Sequence, residues 1–282
     1  IIMQALSEVK PYVVIAVPLV IEKIYKTKVK PILEREGVRF LMKVPGVNQV
    51  IMNKIKTELI NAFGGEFYEV IIGGAAFNKE VEAFFKKMGF PFTVGYGMTE
   101  SAPIITYEDW KEEKLFSCGK AAPNMQVRIA SADPVNIPGE IQIKGANVFL
   151  GYFKNEEATA EVFTEDGWFK TGDMGILDEE GSLFIKGRTK CMILGPSGQN
   201  IYPEEVETVV NSQPYVVDSL VIEDDGGLTA LIYPDFQQGE KEGLSQEAMV
   251  RYMEGTLAEL NTILPNYARL KKIEVMSEDF ER

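Results

Sequence analysis

The sequence has 282 residues, 45% hydrophobic and 25% charged, a composition that suits a folded globular chain and excludes collagen-like, mucin-like and disordered classes. Its 42 Asp and Glu outnumber 29 Lys and Arg for a formal charge of -13, so duplex nucleic acid is repelled and no nucleic-acid partner is expected. The absence of histidine removes Ser-His-Asp triads, His-ligated zinc and His general bases. Cys118 and Cys191 are too few for a disulfide framework or a four-thiolate metal site, which leads us to expect a cytoplasmic setting.

The apolar run Tyr12 to Val20 is interrupted by Pro18 and falls well short of the roughly 20 residues of a spanning helix, so it reads as a buried strand. No basic segment leading into a cleavage site precedes it, and no export signal is expected. Both ends of the chain read as cut from something longer. From Pro18 to about Glu36, Leu19, Ile24, Val29 and Leu33 are spaced loosely as on a helix. Tyr68 to Ile72 is a β-branched run that ends in Gly73-Gly74. Asn78 can then cap a helix bearing Val81, Phe84, Phe85 and Met88, with Gly89 as its stop. Phe92 to Val94 is a further short strand, and the alternation predicts an open α/β sheet with ligands at the loops after its strands.

Between about Phe116 and Lys186 the pattern changes to short strands, Gln126–Ala130, Glu140–Lys144 and Leu183–Lys186, with a turn at Asp178 to Gly181. This predicts a small distorted β-barrel or packed hairpins. Beyond Arg188 come a strand Cys191–Leu194, a glycine-bearing loop and a helix opened by Pro203, Glu204 and Glu205. A hairpin, Asp218–Glu223 and Leu228–Tyr233, a helix from about Ser245 to Leu264 and a strand Lys272–Met276 complete a compact α+β domain.

Several segments carry groups suited to a nucleotide, each with a plainer alternative. Val94 to Ser101 combines glycines that let main-chain N–H groups approach an anion with a ring (Tyr96), a hydroxyl (Thr99) and a carboxylate (Glu100) that could hold a hard cation; an ordinary capped glycine turn looks similar. Asp173, in the cluster Asp166 to Asp173, could accept two ribose hydroxyls or merely satisfy its own turn, and Arg188 could donate to the same sugar or to a phosphate. Leu194 to Glu207 could host an anion, but Pro203 and two glutamates also make a well-built helix start, which is the stronger reading.

Order and spacing taken together resemble the adenylate-forming superfamily of acyl-CoA synthetases, luciferases and peptide-synthetase adenylation domains, most of all the long-chain fatty acid-CoA ligases. The blocks are Val17-Pro18, Gly73-Gly74-Ala75, Gly95-Tyr96-Gly97-Met98-Thr99-Glu100, Gly139-Glu140-Ile141, Gly151-Tyr152, Gly167 to Asp173, Gly187-Arg188 and Tyr202 to Glu207. Gly151-Tyr152-Phe153 with Glu157-Ala158-Thr159 tilts the comparison toward the acyl-CoA ligases. The resemblance runs essentially the whole chain and implies the C-terminal half of such an enzyme. Residues 1–187 would be the end of a large adenylation domain, an incomplete α/β sheet to about 115 and a barrel over about 116–187. Residues 188–282 would be a mobile cap domain, truncated at its end.

The same resemblance implies ATP, Mg²⁺ and CoA as cofactors and co-substrate, and a fatty acid as substrate. Gly74 and Ala75 would border the adenine, Tyr96 would stack on it, Ile185 would lie against it from the other side, and Gly97 would be among the nucleotide-binding residues. Thr99 would contact phosphate, Glu100 would take part in metal binding, and Asp173 and Arg188 would hold the ribose. Lys190 would be the hinge of the cap, and Gly198 would lie on the loop presented to the CoA arm. The family's Gly/Ser/Thr-rich phosphate loop is not in this sequence, nor is its C-terminal catalytic Lys, so the chain alone is expected to be inactive. A different acyl- or aryl-adenylate-forming ligase, or a non-catalytic nucleotide-binding module, is the alternative. Acyl chain length, oligomeric state and peripheral membrane contact are left open.

Overall fold

The computed structural model describes residues 2–44, 46–195 and 198–280. It divides into two compact units: residues 1–171 with 176–185, and residues 172–175 with 186–282. No helix among the described residues is long and apolar enough to cross a membrane.

Unit 1 opens with a parallel sheet of three strands, β1 (Val13–Ala16), β2 (Glu69–Ile72) and β3 (Phe92–Val94), in that spatial order. The predicted first strand is shorter than its apolar run, because Pro18 already starts a helix, Pro18–Ile24, and it is not the buried strand expected: β1 lies at the edge of its sheet, with Val14 buried and Ile15 81% exposed. The long helix expected to about Glu36 is broken: a π turn, Tyr25–Val29, precedes a four-residue helical piece, Lys30–Leu33. Pro31 supplies the reason, since it has no N–H to give and its ring crowds the carbonyl one turn back. The helix Val47–Ala62, not read from the sequence, buries Met52, Ile55 and Leu59 on one stripe. Helix Lys79–Met88 follows its signals closely. Asn78 accepts from Glu80 N–H at 3.0 Å and Val81 N–H at 3.2 Å, and Gly89 ends the helix at φ 69° in the left-handed region.

The strands β4 (Tyr96–Gly97), β5 (Ile104–Tyr107) and β6 (Lys120–Ala121) form an antiparallel sheet. Four more, β7 (Met125–Ala130), β8 (Gly139–Gly145), β9 (Phe169–Leu177) and β10 (Leu183–Arg188), form a sheet in the order β10-β9-β8-β7. The expected small distorted β-barrel is therefore corrected to two open sheets, neither closed on itself among the described residues. The two-residue β6 pairs with β5 and not with β7, so the outer edges of the four-stranded sheet never meet to close a ring.

In unit 2 the predicted strand Cys191–Leu194 is reduced to β11 (Ile193–Leu194), paired with β12 (Asn200–Ile201), because Thr189–Cys191 is a 3-10 turn. Helix Pro203–Asn211 buries Pro203, Val206 and Val210. Strands β13 (Val216–Asp224) and β14 (Gly227–Pro234) form the expected hairpin, turning at Asp225 (φ 49°) and Gly226 (φ 71°), and β15 (Leu270–Val275) joins β14 in parallel. The single helix expected over 245–264 is two, Gln246–Gly255 and Leu257–Ile263. Gly255 is a weak helix former, and the Thr256 hydroxyl bonds back to Met253 O at 2.7 Å, which favours a break there. Each unit has its own apolar cluster, the first centred on Phe85, Phe92, Ile141 and Phe169 and the second on Val210, Ile232, Met249 and Leu260.

Candidate functional site

The parallel strands end side by side at Ala16, Ile72 and Val94. Gly73 N–H donates to Ala16 O at 3.1 Å and Gly95 N–H to Ile72 O at 2.9 Å, so two of the glycine segments leave the same edge of the sheet, where open α/β sheets bind ligands. Gly74, at φ 89°, and Ala75 are exposed there. After β3 the chain passes through Tyr96, which is only 8% exposed and packs in the unit's core, so little of its ring reaches the surface. A Cβ at Gly97 would lie 2.2 Å from Pro103 O, and only glycine permits that approach.

The following loop closes on itself. Met98 N–H donates to Pro103 O at 2.9 Å, and the Ser101 hydroxyl reaches Pro103 O at 2.5 Å, around a 3-10 turn Thr99–Ser101. Thr99 is exposed and Glu100 half-buried. A second segment braces the turn: Phe149 N–H donates to Glu100 O at 2.8 Å, Asn147 Nδ2 to Ser101 O at 2.5 Å, and the Tyr152 hydroxyl to Glu100 Oε1 at 3.2 Å.

Beneath this loop lie two buried carboxyls that sequence reasoning missed. Glu113 Oε1 accepts from Val94 N–H at 2.7 Å, and Lys86 Nζ donates to Glu113 O at 2.5 Å. Glu82 accepts from Phe116 N–H. Burial pushes each of these glutamates up from 4.5 to about 7, although backbone N–H groups and neighbouring lysines pull the other way. Burial, with the two glutamates nearby, also pushes the Cys118 thiol up to about 12. One signal was available: Glu82 falls three residues before Phe85, on the stripe of its helix that points inward.

Within unit 2, Asp173 on β9 and Arg188 at the end of β10 face each other, Arg188 Nε lying 3.6 Å from Asp173 Oδ1. The Arg188 side chain is 73% exposed and that of Asp173 17%, leaving a guanidinium within reach of an arriving ligand beside a carboxylate able to accept from hydroxyls. The start of helix Pro203–Asn211 does more than complement its dipole. Glu204 Oε1 accepts from Arg188 N–H at 3.3 Å, and Glu205 pairs with Lys186 at 3.3 Å. A Cβ at Gly187 would meet Glu204 Oε2 at 2.6 Å. Lys190 is exposed in the 3-10 turn, and Gly198 is exposed at φ 77°. Ile185 is part of unit 1 and 38% exposed. The structure thus brings Tyr96, Gly97, Thr99 and Glu100 onto one braced loop, and Asp173 and Arg188 onto one strand pair.

Among the described residues no three His, Cys, Asp or Glu side chains gather to hold a metal by themselves. The lone, half-buried Glu100 carboxylate nonetheless fits Mg²⁺ arriving with phosphates, since that ion takes one or two protein carboxylates and keeps waters and phosphate oxygens for the rest.

Residues 2–153 match the family described as "AMP-binding enzyme". The long-chain-fatty-acid–CoA ligase FadD15 of Mycobacterium bovis is 28% identical over 312 aligned positions, covering 98% of this chain and 50% of that protein. The 2-succinylbenzoate–CoA ligase of Bacillus cereus is 35% identical over 222 positions, 74% of this chain and 45% of its own. Among solved structures, the O-succinylbenzoate coenzyme A synthetase of Bacillus subtilis in complex with ATP and magnesium ion superposes with a TM-score of 0.70 at 25% identity, over 97% of this chain and 50% of that one. The chain spans about half the length of the curated relatives it matches.

Proposed function

This chain belongs to the AMP-binding enzyme family, and from that premise we propose that it supplies half of an ATP-dependent acid–CoA ligase, with a fatty acid as the acid. The observation that carries the reading is the braced loop Gly95 to Ser101 at the carboxyl end of a parallel sheet, presenting a hydroxyl and a half-buried carboxylate. The ligase joins a carboxylate to the α-phosphorus of ATP, releasing pyrophosphate, and then transfers the acyl group to the CoA thiol, releasing AMP. A carboxylate is a poor acyl donor, and the adenylate makes AMP its leaving group. The protein's work is orientation and stabilisation of crowded phosphate charge.

In this scheme Gly74, Ala75, Tyr96, Gly97 and Ile185 border the base, Asp173 accepts from the ribose hydroxyls, and Arg188 donates to the same sugar. Thr99 donates to a phosphate oxygen. Glu100 holds Mg²⁺, which when bound offsets the phosphate charge. Lys190 is the hinge between the half-reactions, and Gly198 lies on the loop for the CoA arm. Similarity to the 2-succinylbenzoate ligase over 74% of the chain favours a second reading, in which the acid is aromatic rather than a fatty acid.

Calorimetry with AMP tests the nucleotide assignment: binding should be lost in Asp173→Ala, and retention of full affinity rejects the ribose role. Acid-dependent pyrophosphate exchange by the full-length protein, run with fatty acids and with 2-succinylbenzoate, decides between the two acids.

A further inference from the structure

The block Gly151-Tyr152 and its companion Thr159 mark the family resemblance, yet no step of the ligation so far uses them. Tyr152 is fixed at three points. Its N–H donates to Thr159 Oγ1 at 2.9 Å, and that hydroxyl donates in turn to Asn155 O at 2.7 Å. Its ring meets Phe149 edge-on, with centroids 4.9 Å apart and planes at 73°. Its hydroxyl donates to Glu100 Oε1 at 3.2 Å. Gly151 allows the close approach: its φ is +149°, and a Cβ there would lie 2.5 Å from Thr159 Cγ2.

The same segment also grips the backbone at and just after Glu100, through Phe149 N–H on Glu100 O and Asn147 Nδ2 on Ser101 O and Ile104 O. Main chain and carboxylate of Glu100 are therefore both held by residues 147–152, whose own shape depends on Gly151 and Thr159. A glutamate left alone has a broad terminal torsion and can turn either oxygen outward. The phenol on Oε1 fixes that oxygen and leaves Oε2 for a cation that tolerates little departure from octahedral geometry.

We infer that Tyr152, set in place by Gly151 and Thr159, is a positioning residue that orients the Glu100 carboxylate for the magnesium–nucleotide complex. The inference rests on the proposed reading of Glu100 as a metal-binding residue. Partners of this kind that orient a metal-binding group commonly alter affinity by about tenfold or more when removed.

The test measures Mn²⁺ binding by electron paramagnetic resonance on the full-length protein with ATP, alongside ATP binding without metal and thermal unfolding. Tyr152→Phe keeps the ring on Phe149 and removes only the hydroxyl. It should weaken Mn²⁺ binding about tenfold while leaving metal-free ATP affinity and the unfolding midpoint unchanged. Thr159→Val should act in the same direction, and Thr159→Ser should bind as the unaltered protein does. Glu100→Gln separates the two levels of the argument. If it weakens Mn²⁺ binding and Tyr152→Phe does not, the positioning role is overturned and the metal reading stands. If neither changes it, or the unaltered protein binds no Mn²⁺ with ATP, the metal reading falls and takes the inference with it. Parallel loss of metal-free ATP affinity or of stability in Tyr152→Phe would show a structural role and overturn the inference as well.

Discussion

The two units differ in what they bury. Unit 1 places four glutamates, Glu69, Glu82, Glu108 and Glu113, in its interior, whereas the buried polar side chains described in unit 2 are the neutral hydroxyls of Ser219, Thr229 and Thr256. The carboxyls of unit 1 hold backbone and side chains around the strand ends. Glu113 ties Val94, the residue before the glycine loop, to Lys86 on a neighbouring helix, and Glu69 accepts from the Tyr107 hydroxyl. The candidate residues of unit 2 sit instead on its surface, over a core that is apolar in the ordinary way. Charge is worth burying where a loop must be held in one shape, and its cost then appears as a dependence on pH.

The largest expected effect exploits that cost. Glu82 and Glu113 titrate at about 7 in the folded chain against 4.5 when unperturbed, so between those values the folded chain holds more protons than the unfolded one. Their contribution is fully present below 4.5 and is lost as pH rises through 7, by on the order of 3 kcal/mol for each group. Both tryptophans, Trp110 and Trp168, belong to unit 1, so urea unfolding followed by their fluorescence reports on that unit. Its midpoint should fall from pH 5 to pH 8, and Glu113→Gln should flatten the slope. A slope unchanged in Glu82→Gln and Glu113→Gln would remove the distinction drawn between the units.

A smaller effect contrasts two glycines. Gly97→Ala drives a Cβ into the Pro103 carbonyl and should cost unit 1 about 2 kcal/mol. Gly198→Ala meets nothing within 4 Å and carries only its positive φ, so about 1 kcal/mol is expected from unit 2. Denaturant titration of the two variants should rank them in that order. The smallest effect is on Arg188, whose ion pair with Asp173 is open to solvent. Arg188→Ala should leave thermal stability within experimental scatter while weakening AMP binding. A clear loss of stability would mean that the pair supports the fold as well as the ligand.

Much of this was legible in the sequence because the signals are local. The Asn78 cap, the Gly89 stop, the Asp225-Gly226 turn and the Pro203-Glu204-Glu205 helix start all act within a few residues, and each appears where the pattern put it. The ordered blocks carry the family resemblance, and some of their glycines meet a backbone constraint that few other residues satisfy, such as Gly74 at φ 89° and Gly97 packed against Pro103 O. The two open sheets were not legible, because closure depends on which distant strand a two-residue segment chooses as partner. Nor were the π turn before Pro31 or the break at Thr256, where helix-like spacing continues through a geometric interruption.

By itself the sequence carried the family resemblance in its ordered motifs, and it placed those elements whose signals are short-range periodicity and the positions of glycine and proline. Only the tertiary structure decided that Glu113 reaches the strand before the glycine loop and that Tyr152 reaches Glu100 from 52 positions away. Such pairings join residues far apart in the chain, and their energies depend on burial and direction, which a linear pattern does not contain.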